Sequence, residues 1–209
     1  GALPREFIQA MICRLLNIPY CYDVKAGAFS ISIEVGSQIY RSLLRSIISS
    51  ASVLFAEGHK SQAVLRKTFG RESVFFPNFV PTAEIPTGIL NRLESDIMRL
   101  LFVGFCYRGK GVFELVEGVR RAAQAGLNLE LELIGAEDAE FAEWIASLPH
   151  QDGLLVLRRG KQPHQEVHLA MEKADVFVFP TSHSGEGHSN SINEAMMHGL
   201  VIVTSRNGF

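Results

Sequence analysis

Two glutamates with seven residues between them, Glu186 and Glu194, lie in a segment rich in glycine and serine, residues 185–199. The apolar runs 176–180 before it and 200–204 after it have the length of strands. The order strand, loop, helix, strand is therefore predicted. One acid lies in the loop, and the other lies within the helix that follows.

The predicted helix starts near three small polar residues, Ser189, Asn190 and Ser191. Backbone N–H groups at a helix start have no partner within the helix, and the positive end of the helix dipole lies behind them. A phosphate group is the ligand that such a start favours. Glu194 lies about one turn further on, and helical side chains lean toward the N-terminus, so its carboxylate can reach the same place. Its two acceptor oxygens suit a vicinal diol such as that of ribose.

A second interpretation needs no ligand. Ser191 as N-cap and Glu194 three residues later would form a capping box, which is a common way to begin a helix. Glu186 would then be a solvated loop acid between two glycines. Residue types alone do not decide between a ligand site and a cap.

The segment resembles the signature of family-four retaining glycosyltransferases of the GT-B fold, P-S/T-x-x-x-E-G-x-x-N-x-x-x-E-A-M-x-x-G. The positions that match are Pro180, Thr181, Glu186, Gly187, Asn190, Glu194, Ala195, Met196 and Gly199. The resemblance implies that Glu186 faces the hydroxyls of the donor sugar and that Glu194 holds the ribose of the nucleotide. It also implies that backbone amides hold the diphosphate, those of His188, Ser189, Asn190 and Ser191.

A second motif, L-L-F-V-G-F-C-Y-R-G-K-G, spans residues 100–111 and joins an apolar strand to the start of a helix. Gly104, Gly109 and Lys110 fit the phosphate-loop pattern G-x-x-x-x-G-K. However, Gly111 stands where that pattern needs a magnesium-binding Ser or Thr, and no later apolar strand ends in the expected acid. A P-loop NTPase is therefore disfavoured.

In the glycosyltransferase family the same place reads F-V-G-R-x-x-x-x-K-G, with the arginine and lysine neutralising the leaving diphosphate. The aligned residues here are Phe102, Val103, Gly104, Lys110 and Gly111. Phe105 occupies the arginine position, which removes one expected cation, and Arg108 is the loop residue that could replace it. Without a ligand, Lys110 would be an exposed first-turn lysine opposed by the helix dipole.

Composition excludes several classes of protein. The 209 residues are 47% hydrophobic, enough for a substantial core. Lys and Arg number 20 against 22 Asp and Glu, so no basic field indicates nucleic acid, and no apolar run is long enough to predict a transmembrane helix. Three cysteines without metal spacing predict neither a disulfide framework nor structural zinc. We expect a cytoplasmic protein, with peripheral contact at the inner membrane face as an alternative.

Helical and strand patterns alternate along the chain, which predicts an α/β fold with mostly parallel sheets. The predicted helices of the first part cover residues 4–16, 37–49 and 59–68, and its predicted strands cover 20–24, 52–56 and 74–76. In the second part the predicted strands begin at 98 and cover 129–133, 154–157, 176–179 and 200–204, with a helix to about 125 and further helices from 137 and 164. The resemblance to the GT-B enzymes implies two Rossmann-like α/β/α domains.

The predicted domains are 1–82, a partial N-terminal acceptor-side domain, and 97–209, most of a donor-binding domain. Prolines punctuate the predicted linker, 83–96. The stretch F-F-P-N-F-V with Asn78 is similar to the end of the family's acceptor domain. Since such enzymes have further units at both ends, we expect the chain to be the central slice of a longer enzyme and to be inactive alone.

Two further patterns have competing interpretations. The amphipathic helix 37–49 is expected to pack into a core, with a membrane-surface role as the alternative. His183, Glu186, His188 and His198 are histidine and carboxylate side chains of the kind that bind zinc, but the motif already has a metal-free explanation. We therefore expect no metal. The remaining C-terminal histidines are expected to be surface or capping residues, namely His150, His164 and His168.

These patterns predict a glycosyltransferase that moves a sugar from a nucleoside diphosphate sugar to a hydroxyl acceptor on a glycan or lipid-linked glycan. Lys110 and the helix start near Asn190 would stabilise the leaving diphosphate, so no cofactor or divalent cation is required. Retention of configuration is implied by the resemblance, and no covalent nucleophile is identified. The alternatives are a nucleotide-sugar epimerase or hydrolase of the same fold, and a nucleotide-binding module without turnover.

Overall fold

A computed structural model describes residues 3–25, 29–80 and 95–206, without the side chains of residues 30–32. The chain divides into two compact units. The first contains the described residues up to Asn78 together with Ser184–His188, and the second contains Phe79–His183 and the described residues from Ser189 onward. Except for its last two residues, the predicted linker 83–96 lies outside the described residues. The predicted domain boundaries therefore remain predictions.

The first unit contains a parallel three-stranded sheet in the order β1-β2-β3. Its strands are β1 (Cys21–Val24), β2 (Val53–Ala56) and β3 (Val74–Phe75). Its helices are α1 (Leu3–Leu15), α2 (Phe29–Val35), α3 (Gln38–Ser50) and α4 (His59–Phe69). Helix α2 was not predicted, because F-S-I-S-I-E-V alternates with the period of a strand, whereas its buried Phe29 and Ile33 have helical spacing.

Helix α3 is the amphipathic helix predicted from the sequence. The Ser37 hydroxyl caps its start by accepting from the backbone N–H of Tyr40, at 3.2 Å. Leu44, Ile47 and Ile48 are buried in the core of the first unit. The expected core packing is thus observed for the second half of the stripe, while Ile39 at its start stays exposed.

The second unit contains five parallel strands in the order β6-β5-β4-β7-β8. They are β4 (Met98–Val103), β5 (Leu129–Ile134), β6 (Leu154–Gly160), β7 (Val176–Phe179) and β8 (Val201–Thr204). The alternating helices are α5 (Val112–Gln124), α6 (Ala139–Ser147), α7 (His164–Lys173) and α8 (Asn190–Met197). The predicted α/β fold with parallel sheets is confirmed.

The period-two pattern of β5 has the predicted effect. Leu129, Leu131 and Leu133 are buried, while Glu130 and Glu132 between them are only partly covered. Strands β4 and β7 pair directly at the centre of the sheet. Their apolar residues form the centre of the core, so the loops that follow them start from fixed points.

Within the described residues, no helix combines the length and the apolar character needed to cross a bilayer.

Candidate functional site

The strand order of the second unit marks one place where a ligand can bind. The chain passes from β4 to β5 on one side and, after β6, returns to β7 on the other side of β4. In open parallel sheets, ligands bind beyond the carboxyl ends of the strands where the order reverses in this way. Here the reversal lies between β4 and β7. The loops after these two strands carry Lys110 and the approach to α8.

The loops after β4 and β7 are bonded to each other. The carbonyl of Gly109 accepts from the backbone N–H of Ser182 at 3.0 Å, and the Ser182 hydroxyl also lies 3.3 Å from it. The Thr181 hydroxyl lies 3.4 Å from the same oxygen. Two segments far apart in sequence therefore form one preorganised surface.

Gly111 is required by this arrangement. Its φ of 71° is in the left-handed region, and a Cβ placed on it would lie 2.1 Å from the carbonyl oxygen of Pro180. A serine or threonine could not occupy this position without moving the β7 loop. The departure from the phosphate-loop pattern therefore has a structural cause, and the loop has no place for that motif's hydroxyl.

Lys110 lies in a short 3-10 turn, Arg108–Lys110, and Gly111 separates it from the start of α5. The interpretation of Lys110 as a first-turn helix lysine is therefore wrong, because the left-handed glycine interrupts the backbone before α5. The side chain is half-buried, and its Nζ lies 5.1 Å from the ring centroid of Phe179, the last residue of β7. The ammonium is thus held at the reversal point.

Arg108 is engaged at the surface beside α5 and α6. Its Nη2 lies 2.5 Å from Oε1 of Glu140, and its guanidinium carbon lies 4.2 Å from the ring centroid of Phe113. An anion bound by Arg108 would have to share it with Glu140. Phe105, at the family's arginine position, is 47% exposed, and its ring centroid lies 5.3 Å from that of Tyr107.

Gly104 brings two strand ends close together. Its N–H donates to the carbonyl of Ile134 at 2.9 Å, so this amide is already used within the sheet. A Cβ on Gly135 would lie 1.8 Å from the Gly104 carbonyl oxygen. Gly104 therefore shapes the start of the loop. Its N–H does not donate to a ligand, because it already donates to Ile134.

Helix α8 begins two residues earlier than a capping box at Ser191 requires. The N-cap is Ser189, and its hydroxyl pairs with the hydroxyl of Ser191 at 2.8 Å, not with a first-turn amide. Ser191 as N-cap is therefore wrong. Since neither hydroxyl caps the helix in that way, the helix start keeps its anion-binding character.

Glu194 is directed toward α7. Its Oε1 lies 3.4 Å from Nε2 of His164, and the carboxylate is largely covered. Hence Glu194 does not close a capping box. The structure instead joins it to a row of histidines that continues through His168 to the buried His198.

The segment Ser184–His188, which carries Glu186, groups with the first unit. The Asn78 amide donates to the carbonyl of His188 at 2.6 Å, and Lys25 donates to the Asn78 side chain at 3.0 Å. Burial lowers the pKa of the His188 imidazole. Glu186 itself is half-buried in this segment.

Glu57 is the residue that sequence reasoning missed. It directly follows β2, it is 3% exposed, and its Oε1 has no hydrogen-bond partner within the described part of the chain. A Cβ on Gly187 would lie 2.2 Å from that oxygen, which explains the glycine after Glu186. Burial raises the pKa of the Glu57 carboxyl, and Asp23 raises it further while Lys25 opposes both effects. An acid at the end of an apolar strand, V-L-F-A-E, was the available signal.

Comparison with known proteins connects this geometry to a family. The model of the family described as Glycosyl transferases group 1 matches residues 98–209. Over 97% of the chain, the sequence is 24% identical to the putative teichuronic acid biosynthesis glycosyltransferase TuaC of Bacillus subtilis (strain 168), covering 50% of that protein. It is 22% identical to protein CapJ of Staphylococcus aureus, covering 52% of it. The chain thus spans about half the length of these relatives.

Solved structures show the same fold. Anabaena Alr3699/HepE in complex with UDP superposes with a TM-score of 0.74 at 16% identity, over 99% of this chain and 58% of that one. The same protein with UDP-glucose gives a TM-score of 0.70. WaaG, a glycosyltransferase involved in lipopolysaccharide biosynthesis, gives 0.62 at 17% identity, over 89% of this chain and 56% of that one. These neighbours share the parallel α/β architecture described above.

Proposed function

Because the chain belongs to the glycosyl transferases of group 1, we propose that it holds a nucleoside diphosphate sugar whose sugar the whole protein transfers to a hydroxyl acceptor. One observation carries the proposal: the loops after β4 and β7 are bonded together at the reversal of strand order. There they set Lys110 beside Phe179, the last residue of β7. This is where an α/β sheet binds nucleotides.

The diphosphate is the leaving group of the reaction. The bond between the anomeric carbon and the diphosphate oxygen breaks, and a bond to the acceptor oxygen forms as the acceptor hydroxyl loses its proton. Negative charge therefore grows on the diphosphate. The Lys110 ammonium and the amides at Ser189, Asn190 and Ser191 would stabilise it, an electrostatic contribution that needs no divalent cation.

Two carboxylates complete the donor site. Glu194 would accept hydrogen bonds from the ribose hydroxyls, and its covered position would strengthen them. Glu186 would orient the sugar as its ring acquires positive charge, with Gly187 and His188 holding the same loop. We further propose retention of configuration, as in the family-four enzymes that the motif resembles.

UDP is the nucleotide we propose first, because structurally similar proteins were solved with UDP and UDP-glucose. One relative is described as a teichuronic acid biosynthesis glycosyltransferase. We therefore propose that the acceptor is a growing cell-surface glycan, free or lipid-linked. The reaction would then be a hexosyl transfer in the cytoplasm, with the enzyme in peripheral contact with the inner membrane face. Since the chain spans half of its relatives, we expect it to bind the donor and not to turn it over.

A module that binds nucleotide without turnover is the second candidate. Phe105 replaces the family's arginine, and Arg108 is held by Glu140. The whole protein would then bind UDP yet transfer no sugar. Sugar transfer by the whole protein therefore distinguishes the two candidates, because only the glycosyltransferase would show it.

Calorimetric titration of the chain with UDP, GDP, ADP and Mg-ATP tests the donor site. With EDTA present for the three diphosphates, we expect UDP to bind and Glu194→Gln to weaken binding at least about tenfold, since a hydrogen bond to a charged group contributes about 1.5–3 kcal/mol. Glu172→Gln, an exposed acid of α7, is the matched control and should bind as wild type. Binding of Mg-ATP alone, unaffected by Glu194→Gln, would contradict the proposal.

A further inference from the structure

Helix α7 presents two histidines to Glu194 of α8. His164 and His168 are four residues apart, so both lie on one face of the helix. Glu194 projects toward the same face from α8. We propose that His164, His168 and Glu194 form a binding site for a transition-metal ion of the Zn²⁺ class.

The distances suit such an ion. His164 Nε2 lies 3.2 Å from His168 Nε2 and 3.4 Å from Glu194 Oε1, and all three atoms lie within 4.8 Å of one another. Tetrahedral zinc holds its nitrogen and oxygen ligands at about 2.0–2.1 Å, which places neighbouring ligand atoms about 3.3 Å apart. Two edges of the coordination polyhedron already have this length. Only the third, from His168 to Glu194, has to close.

His198 supports the ligand form of His168. The Nδ1 atom of His168 lies 2.8 Å from Nε2 of His198, which is only 1% exposed. When the His168 proton is on Nδ1 and bonds to His198, the lone pair of Nε2 faces His164 and Glu194. A hydrogen bond to the ring nitrogen away from the metal is how proteins usually orient a histidine ligand.

With both imidazoles protonated on Nδ1, the arrangement brings acceptor atoms together. Two imidazole nitrogens and one carboxylate oxygen converge, and a cation between them would satisfy all three. Neutral imidazole and carboxylate are ligands that zinc accepts readily. Three protein ligands leave a fourth position open, so water or another ligand would complete the site. Resting on the proposed function, a bound ion would also compete with the ribose for Glu194.

Direct metal titration tests the site. Zn²⁺ is titrated into the full chain against a chromophoric chelator, and Co²⁺ is followed by its visible absorption, which reports tetrahedral coordination. We expect one equivalent to bind, and both His164→Ala and Glu194→Gln to weaken binding at least about tenfold. His164 is exposed, so His164→Ala should remain folded, and circular dichroism checks this.

Two controls exclude other donors. His150→Ala removes an exposed histidine elsewhere in the same unit and should bind as wild type. Cys13→Ser with Cys21→Ser removes the thiols that are not buried and should also leave binding unchanged. Absence of stoichiometric binding, binding that survives His164→Ala, or binding lost with the cysteines would each overturn the inference.

A competition experiment separates this inference from the proposed function. If UDP binds in EDTA, and Zn²⁺ added in EDTA-free buffer weakens UDP binding in wild type but not in His164→Ala, the ion and the ribose share Glu194. If Zn²⁺ binds as expected but UDP does not bind in EDTA, the metal site stands and the donor site fails. If UDP binds and Zn²⁺ does not, the donor site stands and the metal site is wrong.

Discussion

Among the side chains at strand ends, Glu57 is the most unusual. Its carboxylate is buried beside Gly187 with one oxygen unsatisfied in the described structure. Such a group costs about 1–3 kcal/mol of stability. A carboxylate kept at this cost next to the loop of Glu186 is typical of a residue retained for function.

Replacing Glu57 should stabilise the protein in a pH-dependent way. The folded-state pKa of Glu57 lies above the ordinary value of 4.5 for a glutamate, so the folded state binds more protons than the unfolded state between these two pKa values. Stability therefore falls as pH rises through that window. We expect Glu57→Gln to raise the free energy of unfolding by about 1 kcal/mol at pH 7.5, and by less near pH 4.

Urea denaturation at the two pH values measures this difference. Glu34→Gln, at an exposed glutamate of α2 in the same unit, is the control and should change little. An equal gain for Glu57→Gln at both pH values would show that ionisation of Glu57 carries no cost.

Lys110 should dominate the electrostatics of the donor site. Since a charge-assisted hydrogen bond to phosphate contributes about 1.5–3 kcal/mol, Lys110→Met should weaken UDP binding by roughly 10- to 100-fold. Lys161→Met, at an exposed lysine of the same unit, should have no effect. Equal affinities in calorimetry for both variants would exclude Lys110 from the diphosphate site.

Phe105 tests whether the site is degenerate. Phe105→Arg restores the second cation of the family. The ring contact with Tyr107 is lost from the free and the bound protein alike, so its loss affects stability and not the affinity directly. We expect UDP to bind about fivefold more tightly, as measured by calorimetry. Phe105→Met, which loses the ring without adding charge, controls for packing. Weaker binding by Phe105→Arg would indicate that Arg108 already supplies the cation.

At the scale of elements, turns with fixed backbone geometry place the loops. The turn at Arg108–Lys110 and the left-handed Gly111 set where α5 begins and where Lys110 lies. The carbonyl of Pro180 packs against Gly111 from the β7 loop. Because these contacts are backbone contacts, they position the loops whatever side chains surround them.

Replacing Gly111, just before α5, and Gly118, within α5, by alanine should therefore change the stability in opposite directions. Gly111→Ala places a Cβ 2.1 Å from the Pro180 oxygen in a left-handed conformation, and should cost at least about 2 kcal/mol of stability. Gly118→Ala, in the middle of α5 with open space around it, should gain about 0.5–1 kcal/mol. Thermal unfolding of both variants checks the pair, and a loss in both would mean that crowding at Pro180 is not the cause.

At the scale of the whole molecule, the sequence predicted the alternation of helices and strands well. Periodicity located each strand of the described residues, including the central pair β4 and β7, to within a few residues. Helix α2 was not predicted, because its period-two pattern is that of a strand. Packing in the core of the first unit is what brings Phe29 and Ile33 together. In this segment, tertiary contacts outweigh the local preference for a strand.

The site was less predictable than the fold. The motifs predicted Glu186, Glu194 and Lys110 as site residues, and this stays a prediction. No pattern could show that Arg108 pairs with Glu140 or that Gly187 accommodates Glu57. Contacts of this kind join residues far apart in the chain. They follow from how the strands are ordered, which local patterns do not specify.

The strand order also has a consequence for folding. The bond from Ser182 to the Gly109 carbonyl spans 73 residues, and β7 pairs with β4 across the intervening β5 and β6, which lie on the other side of β4. Such distant pairings form late and slowly, because closing the intervening loop costs entropy. The nucleotide surface would therefore be among the last features to form. A partly folded chain should not bind the proposed donor. UDP is therefore expected to stabilise only the fully formed sheet.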